Sequence, residues 1–187
     1  MIKLKKNKAI FLDRDGVLNK VLIKNKKGYA PLNMKEFKLY KGVENYCKII
    51  KKMSYIIIII TNQPDISRKK ITHNQLQKMH IYLKKKINYD DIYTCTSLSK
   101  NNYYRKPNPG MLKKAIKNHN IDISSSYFIG DRKLDIDCAK KVKCKSIFID
   151  RNYKEKKPKR QIFTTNSLNN AIKYIIKDEK NKNKNFC

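Results

Sequence analysis

The sequence predicts a three-layer α/β/α fold around a central parallel sheet. Short runs rich in β-branched residues alternate with lysine-rich segments of helical period, the pattern of βαβ units. Five consecutive isoleucines at 56–60 have no polar alternation, as expected of a central strand covered on both faces. With 187 residues the chain is long enough to enclose a hydrophobic core and falls in the usual range for one domain.

The elements follow in order. Residues 9–12 form the first strand. Residues 16–39 then lead to a helix over 43–53 and are too few for a separate cap domain, so any cover on the site is small. A second strand is expected at 55–60 and a helix at 72–87, whose Leu76, Met79 and Leu83 make an inward stripe. Strands at 91–94, 127–129 and 146–149 alternate with helices at 110–118, 134–142 and 167–177. From Lys177 the chain is Lys, Asn, Asp and Glu with almost nothing apolar until Phe186, a composition that cannot offset the entropy of ordering. The reading is therefore one domain over 1–176 and a disordered basic tail over 177–187.

Composition narrows the function classes. Residues 1–7 carry lysines but lack an apolar stretch and a cleavage site, unlike a signal peptide. The run at 55–60 covers far less than the roughly 20 residues a membrane-spanning helix needs. Five cysteines, an odd number without close pairing, favour free thiols in a reducing, cytoplasmic setting. The net charge of +30, from 45 basic and 15 acidic residues, would attract any polyanion. Yet lysine supplies most of it, scattered among abundant Asn, Ile and Tyr, all residues with AT-rich codons. That spread reads as compositional bias, and with no helix-turn-helix, zinc-finger or RNA-recognition pattern it points away from nucleic acid. His73, His80 and His119 lack ligand spacing and are expected on the surface or partly buried.

In open parallel sheets the ligand crevice lies beyond the carboxyl ends of the strands, and polar residues recur there. After the first strand come Asp13 and Asp15, with Gly16 to turn the backbone. Two acids so spaced can divide phosphate-ester cleavage between attack on phosphorus and proton transfer; an Asp-rich turn is the alternative. Thr61, Asn62 and Gln63 end the second strand, suited to bonding a phosphoryl oxygen or to closing a turn. Arg105 and Lys106 follow the third, where a lysine could neutralise developing charge. Asp131 and Asp135 follow the fourth, and a carboxylate there could join Asp13 around Mg²⁺ or could cap a helix.

The strings F-L-D-R-D-G-V-L-N, T-N-Q, R-K-P-N-P-G-M and I-G-D-R-K-L-D resemble the four motifs of the haloacid dehalogenase superfamily. G-Y-A-P-L and T-N-Q-P-D-I-S-R point to the branch of histidinol-phosphate and D-glycero-D-manno-heptose 1,7-bisphosphate phosphatases, over about residues 8–150. The resemblance implies a Rossmann-like domain without a large cap and Mg²⁺-dependent phosphomonoester hydrolysis through an aspartyl phosphate. It implies Asp13 as nucleophile and metal ligand. Asp15 would be acid and base, with its carbonyl on the metal, and Asp131 the remaining ligand. Thr61 and Lys106 would steady the phosphoryl group. Arg14, Asn62, Gln63, Arg105 and Arg132 are the candidate substrate-binding residues, and Asp135 buttresses the metal-side loop.

The departures from that pattern also predict. The branch's zinc loop needs three cysteines and a histidine, but here only Cys95 remains, with Ser97, Asn102 and Tyr104 at the other positions. One thiol cannot hold structural zinc, so none is expected. Lys69 and Lys143 stand where the branch has glycines, so a left-handed backbone is expected at both. The reading is a monomer acting on a small phosphorylated metabolite, heptose bisphosphate first and histidinol phosphate second. A nucleic-acid 3′-end phosphatase and a non-enzymatic basic binding module are the rivals.

Overall fold

Residues 6–184 are described by the computed structural model, so the readings of residues 1–5, of 185–187 and of the Cys187 thiol lie outside the described residues. Along the chain run β1 (Lys8–Leu12), β2 (Leu22–Lys24), β3 (Lys27–Tyr29), α1 (Val43–Lys52), β4 (Tyr55–Asn62), α2 (His73–Ile87), β5 (Asp91–Cys95), α3 (Gly110–Asn118), β6 (Tyr127–Gly130), α4 (Lys133–Lys141), β7 (Lys145–Ile149), β8 (Phe163–Thr165) and α5 (Leu168–Lys184).

The main sheet has six parallel strands in the order β5-β4-β1-β6-β7-β8. Side-chain alternation divides its core between two faces. Ile10, Leu12, Ile57 and Ile59 pack with Val43 and Ile50 of α1, Met79 and Leu83 of α2, and Ala171 and Ile175 of α5. Phe11, Ile58, Ile60 and Phe128 face the other way, onto Leu112 and Ala115 of α3 and Ala139 of α4. Every isoleucine from Ile57 to Ile60 is fully buried, as a strand sandwiched between helix layers requires.

Chain order turns at β1, which pairs with β4 on one side and with β6 on the other. Leu12 is opposite both Ile59 and Ile129, so Asp13 emerges between the ends of the two neighbouring strands. Such a switch point opens a crevice by construction. The small cover expected over 16–39 is the two-stranded antiparallel hairpin β2–β3.

One expectation needs correction. Residues 178–184, expected in a frayed tail, instead continue α5 through Lys184. Polar contacts hold its last turns: Glu179 pairs with Lys8 at 2.9 Å, Asp178 with Lys145 at 3.0 Å, and the Tyr127 hydroxyl donates to Asp178. The short edge strand β8 and the long loop before it were not foreseen, since three residues carry no periodicity. Lys69 and Lys143 do adopt left-handed backbone, each with φ of 57°.

Candidate active site

Asp13 leaves β1 with its amide donating to the Ile129 carbonyl at 3.0 Å. Its Oδ1 accepts from the Lys106 ammonium at 2.8 Å and from the Arg14 amide at 2.8 Å. Lys106 is itself buried, donating to the Ile60 carbonyl at 2.7 Å and pairing with Asp135 at 2.7 Å. Asn62 clamps the lysine's backbone, accepting from its amide and donating to its carbonyl, both at 3.1 Å. Residues 93 positions apart thus meet because the ends of β4 and β1 are neighbours.

On the other flank, Asp131 follows β6 and Asp135 lies in the first turn of α4. Asp131 is not the helix cap. Arg132 takes that position, and its amide donates to Asp135 at 3.0 Å. Gly130 permits this, because a Cβ there would lie 2.2 Å from that of Asp135. Oxygens of Asp13, Asp131 and Asp135 lie within 4.8 Å of one another.

Burial, joined by the Asp135 and Asp15 carboxylates and resisted by Lys106, pushes the Asp13 carboxyl up to about 7. Burial and the carboxylates of Asp13 and Asp135 also raise Asp131 well above the ordinary range. Three buried acids face one ammonium. A divalent cation fits that imbalance, and Asp131 supplies a hard oxygen for it, since its Oδ1 is buried without any protein partner.

Asp15 has the opposite character. Burial would raise it, but the Arg14 guanidinium outweighs this, with bonds from Asn19, Arg14 and Gln63, and holds the carboxyl below its ordinary range. Asn19 donates at 2.9 Å and Gln63 at 2.7 Å. Gln63 also donates to the buried Thr61 hydroxyl at 2.8 Å.

Two expected substrate contacts are thereby displaced. Arg14 is fully buried and its guanidinium faces Asp15 and His80, away from the crevice. Gln63 is buried and anchors Asp15 and Thr61. Asn62, Arg105 and Arg132 do line the crevice, a cavity of about 270 Å³ shared with Tyr29, Arg68 and Leu134. Arg105 is braced against the Ser97 carbonyl at 2.6 Å, and Arg132 pairs with Glu155 at 3.0 Å.

Sequence reasoning missed three participants. His80, read as a surface or partly buried residue, is 8% exposed and lies 3.2 Å behind Arg14. Asn19 is tied to Asp15, and the Tyr153 hydroxyl donates to Asp131 at 2.8 Å. His80 and Tyr153 act through contacts across the fold, from positions outside every motif. Only the Asp15–Asn19 spacing carried a local signal.

The family described as polynucleotide kinase 3 phosphatase matches residues 13–157. Among curated relatives, a D-glycero-beta-D-manno-heptose-1,7-bisphosphate 7-phosphatase of Helicobacter pylori is 34% identical over 137 residues, 70% of this chain and 76% of its own. A D-glycero-alpha-D-manno-heptose-1,7-bisphosphate 7-phosphatase of Photorhabdus laumondii is 38% identical over 144 residues, 70% and 75% of the two chains. Among solved structures, the D,D-heptose 1,7-bisphosphate phosphatase of B. bronchiseptica, complexed with magnesium and phosphate, superposes with a TM-score of 0.79. It is 19% identical and covers 91% of this chain and 99% of that one, sharing the fold. With these matches laid over the four strand-end motifs and the sheet that aligns them, the chain belongs to the polynucleotide kinase 3 phosphatase family, within the haloacid dehalogenase-like phosphatases.

Proposed function

We propose that the chain removes the 7-phosphate of D-glycero-D-manno-heptose 1,7-bisphosphate through a phosphoryl group carried on Asp13. The observation that carries the chemistry is the meeting of Asp13, Asp131 and Asp135 within 4.8 Å beside the Lys106 ammonium. The substrate rests on relatives of both anomeric specificities at 34–38% identity.

In this reading Asp13 attacks phosphorus in line, through Oδ2, which takes no part in the bonds from Lys106 and Arg14. Lys106 and the Thr61 hydroxyl hold phosphoryl oxygens. Asp15 hands its proton to the leaving oxygen, then takes one from the water that attacks the aspartyl phosphate. Its low pKa in the free protein suits the second role, and the charge of an arriving phosphate favours protonation for the first. Mg²⁺ held by Asp13, Asp131 and the Asp15 carbonyl would neutralise charge on the transferring group. Asp135 braces the lysine and the α4 cap without being required as a ligand. Arg105, Arg132 and Arg68 offer the rest of the substrate its positive contacts.

We hold the loop after β5 to need no zinc. Asn102 accepts from the Tyr104 amide at 2.9 Å, and Asn108 donates to the carbonyls of Lys100 and Asn102 at 2.9 Å each. Four unpaired, buried thiols support a reducing, cytoplasmic setting, and no described helix is long and apolar enough to cross a membrane. A monomer acting on a small metabolite completes the reading.

The family description favours one rival, a nucleic-acid 3′-end phosphatase, to which the net charge of +30 would be useful. Purified protein assayed on both heptose bisphosphate anomers, histidinol phosphate and a 3′-phosphorylated oligonucleotide separates them. The proposal expects the heptose bisphosphates to be cleaved best, only with Mg²⁺. Preferred cleavage of the oligonucleotide, falling steeply with salt, would replace it with the rival.

A further inference from the structure

The structure assigns Tyr153 as a positioning residue that fixes Asp131 for the metal ion and seats the β2–β3 hairpin over the crevice. This rests on the metal centre proposed above.

Tyr153 lies in the loop after β7, within a stretch that carries none of the motifs, yet it is only 8% exposed. Its hydroxyl donates to Asp131 Oδ2 at 2.8 Å. The other oxygen, Oδ1, is buried without a protein partner, and the Asp131 carboxylate as a whole clusters with those of Asp13 and Asp135. A hydrogen bond to one oxygen restricts rotation of the carboxylate and so favours one direction for the free oxygen. Outer partners of this kind set ligand orientation at metal sites. Gly16 makes room for the arrangement: with φ of +89°, a Cβ there would lie 1.8 Å from Asp131 Oδ2 and 3.0 Å from the Tyr153 hydroxyl.

The same ring supports the hairpin. A Cβ at Gly28 would come within 2.9 Å of the Tyr153 ring, so the hairpin backbone rests directly on it. Arg132 stacks on that ring with its guanidinium 5.3 Å from the centroid and donates to the Gly28 carbonyl. On either side of the tyrosine the loop is sewn down, by Arg151 to the Gly16 carbonyl at 2.8 Å and by the Lys154 amide to the Lys26 carbonyl at 2.7 Å. One side chain therefore touches a metal ligand through its hydroxyl and the substrate cover through its ring.

Two variants separate these contacts in the full-length protein. Tyr153→Phe keeps the ring and removes the donor; Tyr153→Leu removes both. Mg²⁺ affinity is read by calorimetric titration, and the hairpin by hydrogen exchange of residues 22–29. Tyr153→Phe should bind Mg²⁺ about tenfold more weakly, recover activity at saturating Mg²⁺, and leave hairpin exchange at the wild-type rate. Tyr153→Leu should add faster exchange across 22–29. Wild-type Mg²⁺ affinity in Tyr153→Phe overturns the assignment while leaving the metal centre standing. Absence of Mg²⁺ binding in the wild-type protein removes both.

Discussion

Arg14 grips the carboxylate of Asp15, its neighbour in sequence, donating from Nη2 to Oδ1 at 2.9 Å and to Oδ2 at 3.0 Å while fully buried itself. The guanidinium therefore orients the carboxylate that the proposed mechanism uses for proton transfer, and it faces away from the crevice. Arg14→Met should lower stability by about 3 kcal/mol, because it leaves a largely buried carboxylate with one fewer partner. It should reduce kcat and leave KM nearly unchanged. Steady-state kinetics and urea unfolding check this; a raised KM with normal kcat would restore Arg14 as a substrate contact.

Behind Arg14, burial and the guanidinium depress the His80 pKa to about 4, against an ordinary value near 6.5. The unfolded chain binds this proton more readily than the folded one. Stability from the neutral imidazole is thus complete above pH 6.5 and lost as pH falls from there through 4. Between pH 7 and pH 5, the wild-type protein should lose about 2 kcal/mol more than His80→Gln, measured by urea unfolding in EDTA. Equal losses would mean that the histidine titrates normally.

Lys143 has φ of 57° at the end of α4, where its amide bonds to the Lys140 carbonyl and the Cys144 amide to that of Ala139, both at 3.0 Å. This is the left-handed cap that glycine fits without a Cβ penalty. Lys69 shares the φ. Lys143→Gly and Lys69→Gly should each stabilise by about 1 kcal/mol and add in the double variant, as read by thermal unfolding. Destabilisation by both would show that the lysine side chains make contacts worth more than the strain.

Removing residues 178–187 should cost about 2 kcal/mol, taking the ion pairs of Asp178, Glu179 and Lys182 at roughly 0.5 kcal/mol each. Activity should survive, since these contacts gather at the amino ends of β1, β6 and β7, opposite the crevice. Unchanged stability would return these residues to the status of a tail.

The strands that the sequence reveals are those whose apolar runs exceed what a loop would carry, and the five of them form the sheet from β5 to β7. Asp13, Asp15, Lys106 and Asp131 were legible because each follows such a run and matches a family motif. The hairpin β2–β3 and strand β8 were not, because three-residue strands, largely exposed in β2, leave no periodic trace. Arg14 was misplaced for a related reason: a charged residue between two active-site acids looks like a substrate contact until His80 and Asp15 are seen to enclose it. The end of α5 was missed because its order comes from Lys8, Tyr127 and Lys145, all more than 30 residues away in sequence.

In the proposed reaction Asp13 takes up the phosphoryl group. Acid-quenching the protein within a turnover of isotopically labelled heptose 1,7-bisphosphate, then digesting it and sequencing the labelled peptide, tests this directly. Label is expected on Asp13 with Mg²⁺ present and none with EDTA or in Asp13→Asn. Label on another residue, or full activity in Asp13→Asn, would contradict it.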